Sequence, residues 1–225
     1  MIKSSTYIDI DTPKKPCKMA VTIKIMVKLT ELLSSGDPFQ RALFDLSVVA
    51  FWGMARLVEL TYNNSNGPLW RQALLLTSDV HFNQEERGNN VTLVVRGAKK
   101  ASPGEELLNE AKQFVATNGE TLLFGFTGTD GSQTHITKPV ATRALDKIWK
   151  AQNFEGVSGH CFRVGGASIQ KDFRVPDKQI CVRGRWNSDC YKLYLREFPS
   201  DKLKATFALL NRLEECWTRS TLKEC

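Results

Sequence analysis

The chain has 225 residues, 42% of them hydrophobic, which suits one soluble globular domain with a sizeable core. Its six cysteines form no CxxC pair and have no histidine at ligand spacing, and its longest apolar stretch, Leu43 to Leu60, is interrupted by Asp45, Arg56 and Glu59. A disulfide scaffold, a zinc site, a membrane span and a secretory signal are therefore not expected, and the protein is read as intracellular with reduced thiols. The net charge of +7 is one-sided: residues 1–135 carry 14 basic and 14 acidic side chains, residues 136–225 carry 17 and 10. A basic half suits a polyanion, because neutralising phosphates releases counterions. A solvated basic face serving solubility is the plainer alternative.

Residues 1–18 mix Ser, Thr, Asp, Pro and Lys and read as a tail or severed linker, with the rest of the chain, 19–225, as one domain. Apolar spacing predicts a helix over 19–33, ended by Ser34-Ser35-Gly36. Asp37 offers an N-cap with Pro38 at the first helical position, opening a largely buried helix predicted to run through Leu60. Residues 63–67 are turn chemistry, and the segments 79–82 and 91–95 read as two strands joined by a polar loop over 83–90. Further helices are expected over 105–116 and 138–152, the second with Val140, Leu145, Ile148 and Trp149 inward, and residues 122–126 read as a turn or short strand. The remainder reads as helical punctuation over 160–173, 177–182, 188–196 and 201–217.

Three segments carry candidate chemistry. In Arg56-Leu57-Val58-Glu59 a guanidinium and a carboxylate lie one turn apart in an otherwise apolar helix; they read either as a structural ion pair or as a phosphate-directed arginine oriented by Glu59. In Ser158-Gly159-His160-Cys161-Phe162-Arg163, His160 and Arg163 share one helical face near a helix start and can converge on one anion. The small run Val164-Gly165-Gly166-Ala167 behind them permits close helix packing, which is also the plainer reading of the segment. The third segment, Gly184 to Arg196, holds Trp186, an indole donor, and two phenols, Tyr191 and Tyr194, that compete for one role; singly, each aromatic reads as core.

Taken in order, an Arg-x-x-Glu helix, a lysine beside a hairpin, His-x-x-Arg, a tryptophan and then a tyrosine resemble the catalytic domain of the tyrosine recombinase (phage-integrase) family over roughly residues 20–200. The runs SGHCFRVGGAS and GRWNSDCYKLYLR look closest to the eukaryotic mobile-element branch, the Crypton and DIRS-like recombinases. The resemblance implies a mainly α-helical fold with a small antiparallel sheet. It also implies DNA cleavage and rejoining through a 3′-phosphotyrosyl link without metal or nucleotide cofactor, with double-stranded DNA as partner and self-association on it.

Carried over position by position, Arg56 and Arg163 would clamp the scissile phosphate and His160 would assist proton transfer. Trp186 would stand where many relatives have histidine, and Tyr194 would attack phosphorus. Tyr194 follows Trp186 by eight residues, close to the family interval, although one short of the bacterial and phage pattern, so Tyr191 stays open. Lys99, with Lys100 next, would be the general acid to the departing 5′ oxygen; the other reading of this pair is loop lysines touching DNA backbone. A phenol titrates near ~10 and needs such a cationic pocket to react at neutral pH.

About 36 residues precede Asp37, too few for the separate helical DNA-binding domain that family members carry. The chain is accordingly read as a fragment, as a shortened relic, or as one whose clamp another chain supplies. Residues 201–217 are expected either to pack on their own domain or to dock on a neighbouring subunit. Two other functions stay open: a domesticated or inactive DNA-binding derivative, and a type IB topoisomerase-like relaxing activity. In a eukaryotic host, work on chromosomal DNA implies the nucleus.

Overall fold

The structure, a computed structural model, describes residues 19–66, 75–85, 88–95, 106–109, 122–128, 131–196, 206–212 and 215. Helix α1 (Ile23–Leu33) starts where the Thr22 hydroxyl accepts the Ile25 N–H, and its apolar face, Met26, Leu29 and Leu33 included, is buried. Helix α2 (Pro38–Trp52) opens on a full capping box: Asp37 accepts the Gln40 N–H at 2.8 Å and Gln40 accepts the Asp37 N–H at 3.0 Å, with Pro38 in the first turn. Its Leu43, Phe44, Leu46, Val49 and Phe51 form the centre of the core, each such side chain contributing about 1.5–3 kcal/mol on burial.

The helix predicted to reach Leu60 does not do so. It stops at Gly53, Met54 takes a left-handed φ of 45°, and a short helix α3 (Leu57–Leu60) restarts with Arg56 as its N-cap. The break exposes the Met54 carbonyl, which Arg163 then takes at 2.6 Å. A contact from 109 residues away thus stabilises an interruption that Arg56–Glu59 spacing does not announce.

Strands β1 (Val80–Glu85), β2 (Gly88–Val94) and β3 (Glu106–Asn109) form an antiparallel sheet in the order β1-β2-β3, with Val80 opposite Leu93 and Val91 opposite Asn109. The expected hairpin is present, but its strands continue through most of the predicted loop, Glu85 pairing with Gly88. The helix expected over 105–116 is corrected at its start: 106–109 are a strand edge of this sheet, because pairing with β2 overrides local propensity. The rest of that segment lies outside the described residues. A second, two-stranded sheet pairs β4 (Gly125–Thr127) with β5 (Gln133–His135).

Helix α4 (Lys138–Ala151) buries Ala141, Leu145 and Trp149 and leaves Val140 and Ile148 half-buried. Helix α5 (Gly159–Asp172) meets α2 and the segment before α1 at distances that only glycine allows: a Cβ on Gly165 would come 1.9 Å from the Val21 carbonyl oxygen, ahead of α1, and one on Gly166 2.0 Å from that of Phe51 in α2. Helix α6 (Asp177–Gly184) follows, then a 3₁₀ turn (Asp189–Leu193) where the sequence suggested helix. Residues 206–212 are helical and pack on the same chain, with Phe207 stacked on Phe173 at 5.4 Å, Arg212 paired with Glu31, and Leu209 and Leu210 against the core. Among the described residues, no helix is long and apolar enough to cross a membrane.

Candidate active site

Four of the residues singled out in the sequence come together at one end of α5. His160 lies in its first turn and Arg163 one turn on. The backbone after α6 brings Trp186 over Arg163, with the guanidinium carbon 4.2 Å from the ring centroid, and the 3₁₀ turn ends at Tyr194. The Tyr194 ring stands 5.1 Å from that of His160, 5.2 Å from that of Trp186 and 5.8 Å from the Arg163 guanidinium carbon. Ser168 on α5 ties this segment down, its hydroxyl 3.2 Å from the Tyr194 carbonyl and accepting the Arg196 N–H at 2.9 Å.

The two tyrosines have different surroundings. Tyr191 is buried and donates its hydroxyl to Asp177 at 3.0 Å; burial first, then the Asp177 carboxylate, hold its phenol above the usual range. Asp177 in turn is paired with Lys171 and is held below the ordinary carboxylate range by Lys171 and then Tyr191. Tyr194 is half-buried and faces the imidazole, the indole and the arginine instead.

The two arginines also differ. Arg163 has no exposed surface and donates to the carbonyls of Met54, at 2.6 Å, and Gly184, while its Nε is buried without a partner among the described residues. Burial, then the neighbouring charges of Arg56 and Arg185, pull its pKa down to about 10. Arg56 keeps 34% of its side chain exposed and donates from Nη1 to Glu59 Oε1 at 2.7 Å. Glu59, whose side chain is 1% exposed, also accepts the Arg56 backbone N–H at 2.8 Å and Arg185 Nη2 at 2.5 Å, both on Oε2. Burial alone would raise its pKa; the Arg185 charge and the hydrogen bonds from both arginines outweigh it and hold the carboxyl low.

Sequence reasoning found Glu59 as the partner of Arg56 but missed Arg185 and Ser168. The only local signal for Arg185 was a charged residue beside Trp186; its partner lies 126 residues away. Lys99 and Lys100, between β2 and β3 in sequence, lie outside the described residues.

No protein-family model and no curated protein matches the sequence. Among solved structures, the chain is similar to the XerH site-specific recombinase bound to its difH substrate in a pre-cleavage complex (TM-score 0.51, 14% identity, 88% of this chain and 56% of that one). It is also similar to the Tn1549 transposon integrase in complex with a circular intermediate DNA (TM-score 0.51, 13% identity, 88% of this chain and 68% of that one). The fold is that of a tyrosine recombinase catalytic domain. The chain spans little more than half of XerH and about two thirds of the integrase chain. Within the tyrosine recombinase fold, α5 carries Arg163 to the aromatic rings, and the break after α2 leaves Arg56 close enough for its charge to act on Arg163.

Proposed function

We propose that this chain cleaves and rejoins DNA strands through a 3′-phosphotyrosyl intermediate, with Tyr194 as the nucleophile. The observation that carries this reading is the position of Tyr194: its ring lies beside His160, Trp186 and Arg163, whereas the competing phenol of Tyr191 is committed to Asp177.

In this mechanism His160 takes the phenolic proton as the Tyr194 oxygen attacks phosphorus, and a P–O bond to tyrosine forms as the bond to the 5′ oxygen breaks. Lys99, or its neighbour Lys100, gives the departing 5′ oxygen its proton. Rejoining is the reverse, with the 5′ hydroxyl attacking the phosphotyrosyl bond, so no external energy source is consumed. Arg56, the more exposed guanidinium, meets the phosphate, and Arg163 adds its buried charge behind the tyrosine and positions the Trp186 face. The runs around His160 and Trp186 support a role on a mobile element of the Crypton or DIRS-like kind, acting on double-stranded DNA as an assembly of several copies.

Incubation with a nicked duplex suicide substrate, followed by a denaturing gel and peptide mapping, tests this. A covalent DNA adduct that disappears in Tyr194→Phe and persists in Tyr191→Phe is the expected result. Loss only in Tyr191→Phe moves the nucleophile. Salt-dependent DNA binding without any adduct, in the chain joined to a DNA-clamping domain as well as alone, overturns the enzymatic reading in favour of a binding derivative. Relaxation of supercoiled plasmid without synapsis points to the topoisomerase-like activity.

A further inference from the structure

Arg185 occupies a position where an arginine is unfavourable on two counts. It ends α6 with a left-handed φ of 56°, a conformation that a C-terminal glycine adopts freely and a side chain resists. Its Nε and Nη1 are buried and meet no hydrogen-bond partner among the described residues, which is costly for a charged group. Among the described residues, the hydrogen bond of the guanidinium is Nη2 on Glu59 Oε2, at 2.5 Å. That oxygen also accepts the Arg56 backbone N–H, and the other carboxylate oxygen accepts Arg56 Nη1. Glu59 is thus gripped from both sides. Backbone strain that persists at a site marks a geometry the surroundings hold in place, and here what it holds is the carboxylate that orients Arg56.

We propose that Arg185 is a positioning residue: it locks the Glu59 carboxylate so that the Arg56 guanidinium is presented in one fixed pose to a phosphodiester. The inference rests on the strand-transfer reading for what the pose is used for, but not for whether the pose is imposed. Arg185 does not itself meet the substrate, because its two remaining nitrogens are enclosed and only 11% of its side chain is exposed. Its second contribution is charge: Arg56, Arg163 and Arg185 surround a single carboxylate, so the cluster stays positive and receptive to a phosphate.

The test uses Arg185→Gly, which suits the positive φ and so is expected to fold, and Arg185→Lys, which keeps the charge without the planar fork. The first measurement is the ¹⁵N–¹H signal of Arg56 Nε, assigned by its loss in Arg56→Lys. It should be sharp and ordered in the parent, averaged in Arg185→Gly and partly recovered in Arg185→Lys. The second is single-turnover adduct formation at saturating duplex, which takes any affinity lost with the Arg185 charge out of the comparison and should fall on the order of 10²-fold in Arg185→Gly, with recovery in Arg185→Lys following that of the Arg56 signal. In a Glu59→Gln background the same change should add nothing further, since both act through one carboxylate.

An Arg56 signal unaltered in Arg185→Gly overturns the proposal whatever happens to cleavage, and so does an effect that adds in full to that of Glu59→Gln. A parent that forms no adduct overturns the strand-transfer reading instead, and the Arg56 signal then still decides whether Arg185 imposes the pose.

Discussion

The Arg163 guanidinium carbon lies 4.2 Å from the centroid of the Trp186 ring, the same ring that stands 5.2 Å from Tyr194. A fully buried cation therefore has an aromatic face against it and donates to two backbone carbonyls, which offsets part of its desolvation. Trp186→Ala removes that face and leaves a cavity, and should destabilise the fold by about 3–5 kcal/mol, read as a lowered urea midpoint. Trp186→Phe, which keeps an aromatic face, should lose less. Equal losses in the two variants would show that the Arg163 contact contributes nothing beyond packing.

The contacts of α5 with α2 and with the segment before α1 give a sterically direct prediction. Gly165→Ala and Gly166→Ala place a methyl group about where the Val21 and Phe51 carbonyl oxygens already stand. Backbone cannot move aside as a flexible side chain does, so each change should cost about 3 kcal/mol or more, the upper end for overpacking. Thermal melts of the two variants check this. Unchanged melting temperatures would mean that α5 lies farther from these backbone segments in solution.

These same residues show what the sequence disclosed and what it withheld. The Asp37–Pro38 helix start and the close approach at Gly165–Gly166 were legible because capping chemistry and small residues act locally. The break at Gly53 was not, since it depends on Arg163 reaching the Met54 carbonyl across the fold. Residues 106–109 carry a helical expectation in sequence but form strand, because a four-residue strand is decided by its partner, β2, and not by its own periodicity. The site shows the same split. Arg56, His160, Arg163, Trp186 and Tyr194 could be picked out by their order along the chain, whereas Arg185 and Ser168 act only through tertiary contacts with Glu59 and the Tyr194 backbone.

Two carboxylates should bend the pH–stability curve in opposite directions. Glu59 is held below the ordinary glutamate value of 4.5, so its contribution is present above that pH and is lost as pH falls through the lower folded value. Asp172, at the end of α5, is raised by burial from 3.8 to about 6, so the folded state binds its proton more tightly and stability falls as pH rises from about 4 to about 6. Asp172→Asn should therefore gain on the parent above pH ~6 and match it below pH ~4, while Glu59→Gln should lose most at neutral pH and least in acid. Melting temperatures across pH 3–8 measure both, and a constant offset for either variant would show that its carboxyl does not titrate with folding.

Arg56 and Arg163, far apart in sequence but close enough for the charge of one to lower the pKa of the other, should separate cleanly on removal. Arg56 is partly exposed and, on the strand-transfer reading, meets a phosphate; Arg56→Ala should weaken DNA binding and reduce the slope of log affinity against log salt by about 1, with some loss of stability because Glu59 Oε1 loses its donor. Arg163 is enclosed and holds the Met54 and Gly184 carbonyls; Arg163→Met leaves both unpaired, at about 1–3 kcal/mol each, and should lower the urea midpoint while leaving the salt slope nearly unchanged. Equal salt-slope changes in the two variants would mean that DNA draws Arg163 out to the phosphate. The Met54 and Gly184 carbonyls would then be released on binding, and protection of the neighbouring amides from hydrogen exchange should fall at the end of α2 when duplex is added.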